Sequence, residues 1–170
     1  MKKLLLFLLL TSSVMIGCHA QKKGIEASES KEIIAPADKK TAVQSDTLFY
    51  VRRTPCFGRC PVYEFLVKTN GESVFTGIRH TRLIGIFTRT YTAAEVDEAK
   101  ERFLQANFME LNDTYTSPIK DQPTIITIYK TGPLRKQVND YYGAPKALKD
   151  LEAYLQEIAF SEGWTGGENK

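Results

Sequence analysis

The first half of the folded region alternates apolar and polar positions with the period of two that is typical of β-strands. In residues 48–51, "LFYV", the side chains fall on alternate faces of a short strand that ends at Arg52 and Arg53. Two further strands are predicted at residues 62–69 and 72–79, and residues 83–91 form either a fourth strand or an extended connector. We therefore expect a sheet to begin the domain.

The pair Asn70-Gly71 joins two of these strands and predicts a tight hairpin, because asparagine followed by glycine suits the positive φ angles of a two-residue turn. A two-residue turn fixes the register of the strands. We expect the opposing pairs Val67 with Val74, Phe65 with Thr76, and Tyr63 with Ile78. Side chains of these pairs would form one apolar face.

Two amphipathic helices are predicted. Thr92 and Glu95 form a capping box, in which each side chain satisfies a backbone donor of the other residue. Pro145 suits the first position of a second helix. The buried stripes are predicted to contain Val96, Ala99 and Phe103 in the first helix, and Leu148, Leu151, Leu155 and Ile158 in the second. Strands at residues 124–129 and 134–141 lie between the two helices.

The predicted order of strands, helix, strands and helix is typical of an α+β domain. We expect a small antiparallel or mixed sheet with both helices packed on one face. The domain would span residues 47–160, because eight of the nine phenylalanines and all eight tyrosines lie there. Residues 161–170, with three glycines, are predicted to be a flexible tail.

The chain begins with two lysines and an apolar run, which is the pattern of a signal peptide over residues 1–17. The apolar run is short for a transmembrane helix, which needs about 20 residues. "MIGC" at residues 15–18 resembles the lipobox of bacterial lipoproteins, and this implies a lipid on Cys18. Residue 19 is His rather than the Asp of inner-membrane retention. We therefore expect a cell-envelope protein anchored through Cys18, more readily in the outer than the inner membrane.

Residues 18–46 contain no aromatic side chain and equal numbers of lysines and acids, so they are predicted to be a flexible tether. The net charge of the chain is +3, and it falls to +1 once the two signal-peptide lysines are removed. Such a charge gives no basis for nucleic-acid binding. Residues 47–91 hold seven basic side chains against two acidic ones. This half either offers a basic face to an anionic envelope component or pairs with the acidic half of the same domain.

Cys56 and Cys60 lie four positions apart in "TPCFGRCP". In an oxidising compartment two nearby cysteines are expected to form a disulfide. The bridge would hold a turn, with Phe57 packed inward and Gly58 at positive φ. The alternative is thiol-disulfide exchange, for which Arg53 and Arg59 would stabilise a thiolate. The spacing differs from the Cys-x-x-Cys of thioredoxin-like motifs.

Metal binding and hydrolytic catalysis have weaker support. A zinc site needs about four ligands, whereas Cys56, Cys60, His80 and a carboxylate are the candidates once Cys18 carries lipid. Asp121 and Asp140 could act as paired carboxylates, although each stands in a sequence that favours a turn. No phosphate-binding glycine loop or hydrolase motif is present. We expect no cofactor, no metal and no catalytic residue.

The stretch Arg53 to Tyr63, "RTPCFGRCPVY", resembles the opening motif R-T-x-C-F-G-x-C-P-x-Y of a family of bacterial envelope proteins defined as a domain of unknown function. The similarity extends over nearly the whole domain and includes Asn70-Gly71, Gly77, Asp121 to Thr124, and Asp140-Tyr141. This resemblance implies an architecture and a compartment, and it assigns no catalytic role.

Two functional hypotheses follow. In the first, the domain binds or scaffolds an envelope protein or an anionic envelope component through a surface at Arg53, Arg59 and Tyr63, and the disulfide is structural. In the second, Cys56 and Cys60 exchange disulfides with a partner.

Overall fold

The computed structural model describes residues 46–167. The predicted signal peptide, the lipidated Cys18, the tether up to residue 45 and the last three residues lie outside this range. The helices are α1 (Ala93–Gln105) and α2 (Lys146–Ala159), and a short 3-10 helix covers Phe108–Glu110. Within the described residues, neither helix is both long enough and apolar enough to cross a membrane.

All eight described strands belong to one sheet. In chain order the strands are β1 (Thr47–Arg53), β2 (Val62–Lys68), β3 (Glu72–Arg79), β4 (Gly85–Thr90), β5 (Thr114–Tyr115), β6 (Ile125–Thr131), β7 (Leu134–Asp140) and β8 (Thr165–Gly166). Their order across the sheet is β5-β7-β6-β1-β2-β3-β4-β8. The pair β5 and β7 is parallel and the other pairs are antiparallel. The N-terminal strand β1 thus lies inside the sheet, between β2 and β6.

The α+β class is confirmed, and the sheet is larger than the small one predicted. The additional strands β5 and β8 have two residues each, too few for a periodic pattern to mark them. Both helices pack on the same face of the sheet. Phe103 of α1 contacts the ring of Phe49 in β1, and Phe160 at the end of α2 contacts the ring of Tyr63 in β2.

Helix α1 begins as predicted, with both hydrogen bonds of the Thr92 and Glu95 capping box present. The predicted stripe of Val96, Ala99 and Phe103 is buried. In α2 the three leucines of the stripe are also buried, and they are joined by Glu152, which is 7% exposed. The helix positions were therefore predictable, and the buried acid among them was not predicted.

The predicted register of the first hairpin is wrong by one residue. In the structure Val67 opposes Ser73, Phe65 opposes Phe75, and the turn has three residues, 69–71. Gly71 has φ 88°, and its N–H donates to the Lys68 carbonyl over 3.0 Å. A three-residue hairpin that ends in a left-handed glycine is the next most common type after the two-residue turn. The change moves Phe75 into the core and leaves Ile78 exposed.

The residues after α2 pack against the sheet, at least as far as residue 167, where a flexible tail was predicted. Trp164 lies against the rings of Phe65, Phe75 and Tyr91. Its Nε1 donates to the Ala159 carbonyl over 3.1 Å, and β8 pairs with β4. The glycines in this segment therefore lie where the chain turns back and pairs with the edge of the sheet at β4.

Candidate functional site

The loop with the two cysteines, residues 54–61, connects β1 to β2 and is held at both its start and its middle. Thr54 N–H donates to the Thr124 carbonyl over 3.0 Å, and Thr124 N–H donates to Thr54 Oγ1 over 2.7 Å. The Cys56 and Cys60 sulfurs lie at disulfide distance, with a Cα separation of 5.8 Å. These constraints fix the loop against the first residues of β6.

Phe57 lies between the two cysteines and is 91% exposed. The expectation that this ring packs inward is wrong, because the short loop turns its side chain away from the sheet. Gly58 does not take the predicted positive φ, and its N–H donates to Cys56 Sγ over 3.3 Å. A large aromatic side chain is therefore presented to solvent by a covalently closed loop.

The β3–β4 loop, residues 80–84, lies beside the cysteine loop, because Val62 at the start of β2 opposes Arg79 at the end of β3. This loop folds closely over the sheet. A Cβ on Gly77 would overlap the Leu83 carbonyl oxygen, so no other residue fits there without a shift. Thr81 Oγ1 donates to the same carbonyl over 2.6 Å.

We call the exposed part of these two segments, residues 54–61 and 78–84, the tip surface. Neither segment contains an aspartate or a glutamate. Arg59, Arg79 and Arg82 are exposed, and their side chains make no hydrogen bond or ion pair with another described residue. Every other described arginine has such a partner: Arg52 pairs with Glu64, Arg53 with Gln156, Arg89 with Glu95, Arg102 with Glu98, and Arg135 with Gln137.

A row of neighbouring positions crosses the sheet at the same end as the tip surface. In the register of the sheet, Asp140, Ile125, Arg53, Tyr63 and Gly77 are successive neighbours across β7, β6, β1, β2 and β3. Four of these five positions belong to the motif and flanking stretches that carried the sequence resemblance. Residues far apart in the chain thus meet in one row at this end of the sheet.

The predicted surface residues Arg53, Arg59 and Tyr63 do not share one exposed face. Arg59 is on the tip surface, whereas Arg53 is half-buried and its Nη1 donates to Gln156 Oε1 over 2.6 Å. Tyr63 is 2% exposed and stacks on Phe75. Burial raises the pKa of the Tyr63 phenol to about 12, although the nearby Arg53 charge opposes the rise and Glu152 adds to it. Tyr63 therefore contributes to packing rather than to a binding face.

Asp140 and Glu152 are two buried carboxyl groups that share one cation, Lys149. The Nζ of Lys149 contacts Asp140 Oδ2 and lies 3.2 Å from Glu152 Oε2. The other oxygen of each carboxyl group, Asp140 Oδ1 and Glu152 Oε1, is buried and has no hydrogen-bond donor among the described residues. Because two carboxyl groups share one ammonium group, the cluster has more hydrogen-bond acceptors than donors.

A proton on Glu152 would supply the missing donor. Burial, together with the charge of Asp140, raises the pKa of Glu152 from 4.5 to about 8, and the charge of Lys149 opposes this rise only in part. Near neutral pH, Glu152 is therefore mainly the neutral acid that hydrogen-bonds to Asp140, while Lys149 balances the aspartate. The ion pair between Lys149 and Asp140 ties α2 to β7.

Sequence reasoning missed this cluster, although two signals were available. Glu152 follows Leu148 by four residues and precedes Leu155 by three, so it falls on the buried stripe of α2. Asp140 has the same phase in β7 as the buried Val138. A charged residue at a core position is uncommon unless it has a partner. That Lys149 and Glu152 of α2 meet Asp140 could not be predicted without the position of α2 over the sheet.

The other sequence candidates are separated by the fold. His80 is exposed in the β3–β4 loop with φ 57°, and Asp121 is exposed with φ 68°, whereas Asp140 is buried. Among residues 46–167, no three His, Cys, Asp or Glu side chains are placed to hold a metal ion.

The fold and the site together define an α+β domain of one mixed sheet and two helices, with a basic and apolar tip surface at one end of the sheet and a buried carboxyl pair between β7 and α2. Residues 47–159 match the family described as Domain of unknown function (DUF6438), and the chain belongs to this family. No curated protein matches the chain.

Proposed function

We propose that this protein is a lipid-anchored binding or scaffolding module of the bacterial cell envelope, and that its tip surface contacts an anionic envelope component. The role is non-enzymatic, with the Cys56 and Cys60 disulfide as a structural element. The observation that supports the proposal most is the disulfide-closed loop, which holds Phe57 91% exposed next to the unpaired Arg59.

An exposed aromatic ring gives the fold no burial energy, since apolar side chains stabilise a protein when they leave water. A flexible loop would lose conformational entropy on binding, whereas a closed loop has already lost part of it. Phe57 and Arg59 therefore have the properties of preorganised contact residues. Arginine and aromatic residues are also the types most enriched among the strongest contacts of interfaces.

The anchor and compartment in this proposal come from the sequence. The apolar run and "MIGC" at residues 15–18 support processing at Cys18 and attachment to lipid. Residue 19 supports the outer rather than the inner membrane. The 28 residues that follow Cys18, from His19 to Asp46, would reach on the order of 30 Å as a coil, which is enough for the domain to meet partners near the membrane.

The proposal is tested by a photo-crosslinking amino acid at position 57, introduced into the full-length protein in intact cells. Crosslinks are expected at position 57, and their yield should fall strongly when Arg59 is also changed to Ser. The matched control is position 134, because Leu134 is 57% exposed and begins β7 at the opposite end of the sheet. Equal crosslinking at the two positions, or no effect of Arg59→Ser, would refute the proposal.

The alternative function is thiol-disulfide exchange by Cys56 and Cys60. One observation favours it: the 3.3 Å contact from Gly58 N–H to Cys56 Sγ would stabilise a thiolate at Cys56 after reduction. Both cysteines are only partly exposed, which restricts the approach of a partner's disulfide. The measurement that separates the two functions is described in the Discussion.

A further inference from the structure

We propose that the anionic component is the lipid surface itself, and that the tip surface docks on a bilayer that contains anionic phospholipid. This inference rests on the proposed binding function and names its partner. Three observations support it: the tip surface exposes apolar side chains, its arginines lack partners among the described residues, and the two groups lie side by side.

Exposed apolar side chains are present on both segments of the tip surface. Of the nine large hydrophobic side chains exposed within the described residues, three lie there: Phe57, Ile78 and Ile84. A fourth, Ile86, follows directly in β4. Phe57 and Ile84 are on two separate loops, so they project as independent side chains. Projecting aromatic and aliphatic groups can enter the boundary between head groups and acyl chains.

The unpaired cations lie in the same two segments. Arg59, Arg79 and Arg82 flank the apolar side chains, and the segments carry no acid. The guanidinium group binds phosphate oxygens through two parallel hydrogen bonds. Glu64 is the nearest acid on β2, and it pairs with Arg52 at 3.8 Å. The tip surface therefore has a positive charge that the described residues do not neutralise.

The combination of apolar side chains and arginines selects a lipid surface over a glycan. An anionic polysaccharide could pair with the arginines but would leave Phe57 and Ile84 in water. At a membrane interface the arginines would lie at the level of the phosphates while the apolar side chains enter beneath them. An acidic protein with an apolar pocket is the competing partner, and the experiment distinguishes it.

The experiment uses the full-length protein reconstituted in vesicles, with an environment-sensitive fluorescent amino acid in place of Phe57. Vesicles contain either phosphatidylcholine alone or an added third of phosphatidylglycerol, and brominated lipid is the quencher. Quenching at position 57 is expected in the anionic vesicles and not in the neutral ones. The same label at position 134 should be quenched in neither, because Leu134 lies at the other end of the sheet.

Charge dependence provides the second part of the test. Changing Arg59, Arg79 and Arg82 together to Ser should lower the ratio of docked to undocked protein about 100-fold, since each basic residue near an anionic surface contributes roughly fivefold. The control variant carries Lys100→Ser, Arg102→Ser and Arg135→Ser, which removes the same charge elsewhere. Circular dichroism of both variants verifies that each is folded.

The lipid proposal is overturned if positions 57 and 134 are quenched alike, or if the tip and control variants dock equally. Crosslinking at position 57 in cells that still depends on Arg59 would then identify a protein partner and leave the binding function standing. Loss of both signals would overturn the binding function as well.

Discussion

Arg53 Nη1 donates a 2.6 Å hydrogen bond to Gln156 Oε1, and this bond joins the last residue of β1 to the last full turn of α2. Arg53 is half-buried, and its Nε has no acceptor among the described residues. Gln156 is thus the acceptor that compensates part of the desolvation of the guanidinium. This hydrogen bond holds the start of the cysteine loop close to the C-terminal end of α2.

Changing Gln156 to Ala should lower the free energy of unfolding by about 1–2 kcal/mol, because a half-buried charged donor loses its acceptor. Urea denaturation measures the effect. Glu157→Ala is the control, since Glu157 is the next residue of α2 and is exposed. Its effect should stay within about 0.5 kcal/mol. Equal effects of the two substitutions would show that the hydrogen bond contributes nothing to stability.

The buried carboxyl pair predicts a pH-dependent stability. In the folded state the pKa of Glu152 is about 8, above its ordinary value of 4.5, so between these values the folded state binds more protons than the unfolded state. The free energy of unfolding should therefore fall as pH rises from about 4.5 to about 8, and level off above that. Denaturation at pH 5, 7 and 9 measures this slope.

Glu152→Gln removes the titrating group and should flatten that part of the profile. The variant is expected to match the wild type near pH 5 and to exceed it in stability at pH 9, where the wild type carries an ionised Glu152 beside Asp140. Glu157→Gln, an exposed substitution on the same helix, should leave the slope unchanged. A Glu152→Gln profile parallel to that of the wild type would contradict the assignment.

The disulfide closes a small loop, and its removal should have a modest effect. Changing Cys56 and Cys60 together to Ser is expected to cost about 2 kcal/mol, from the chain entropy of a loop of about five residues. Reduction of the wild type with dithiothreitol should produce the same loss. An insulin-reduction assay tests the exchange function, and steady turnover that depends on Cys56 would favour exchange over a structural bridge.

Trp164 is the one tryptophan of the chain, and its fluorescence should report the packing of the segment after α2. The folded protein is expected to emit at shorter wavelength than the urea-unfolded protein. Trp164→Ala should destabilise the domain by about 2–4 kcal/mol, because the partly buried ring contacts Phe65, Phe75 and Tyr91. Trp164→Phe should retain most of the stability. If the Ala variant is as stable as the wild type, the segment does not belong to the core.

The helices and most strands were predictable because their signals are local. The Thr92 and Glu95 capping box is complete within four residues, and the stripe of α2 repeats over three turns. The hairpin register could not be predicted in this way, because Asn70-Gly71 suits both two-residue and three-residue turns. Only the packing of Phe75 distinguishes the two turns. The sequence placed Tyr63 on the apolar face of the sheet, where the structure buries it, although its predicted partner Ile78 is replaced by Gly77. Tyr63 was also assigned to a binding surface, which its burial contradicts.

The tip surface and the buried carboxyl pair, Asp140 and Glu152, depend on tertiary structure in different ways. Arg59 was identified from the sequence, whereas Arg79 and Arg82 join it only because β3 returns beside β2. The orientation of Phe57 follows from loop geometry that composition does not determine. The burial of Glu152 follows from its position on the apolar stripe of α2. Its partner Asp140 lies in β7, so the contact between them depends on how α2 packs over the sheet.

The strand order has a consequence for how the chain acquires its structure. Strand β1 needs both β2, which follows it within ten residues, and β6, which starts at residue 125. Until β6 has been synthesised, β1 has an open edge whose backbone groups could pair with another chain. A product that ends before residue 125 would retain the β1 to β4 meander with this edge unprotected, so premature termination should yield aggregates rather than a smaller folded domain.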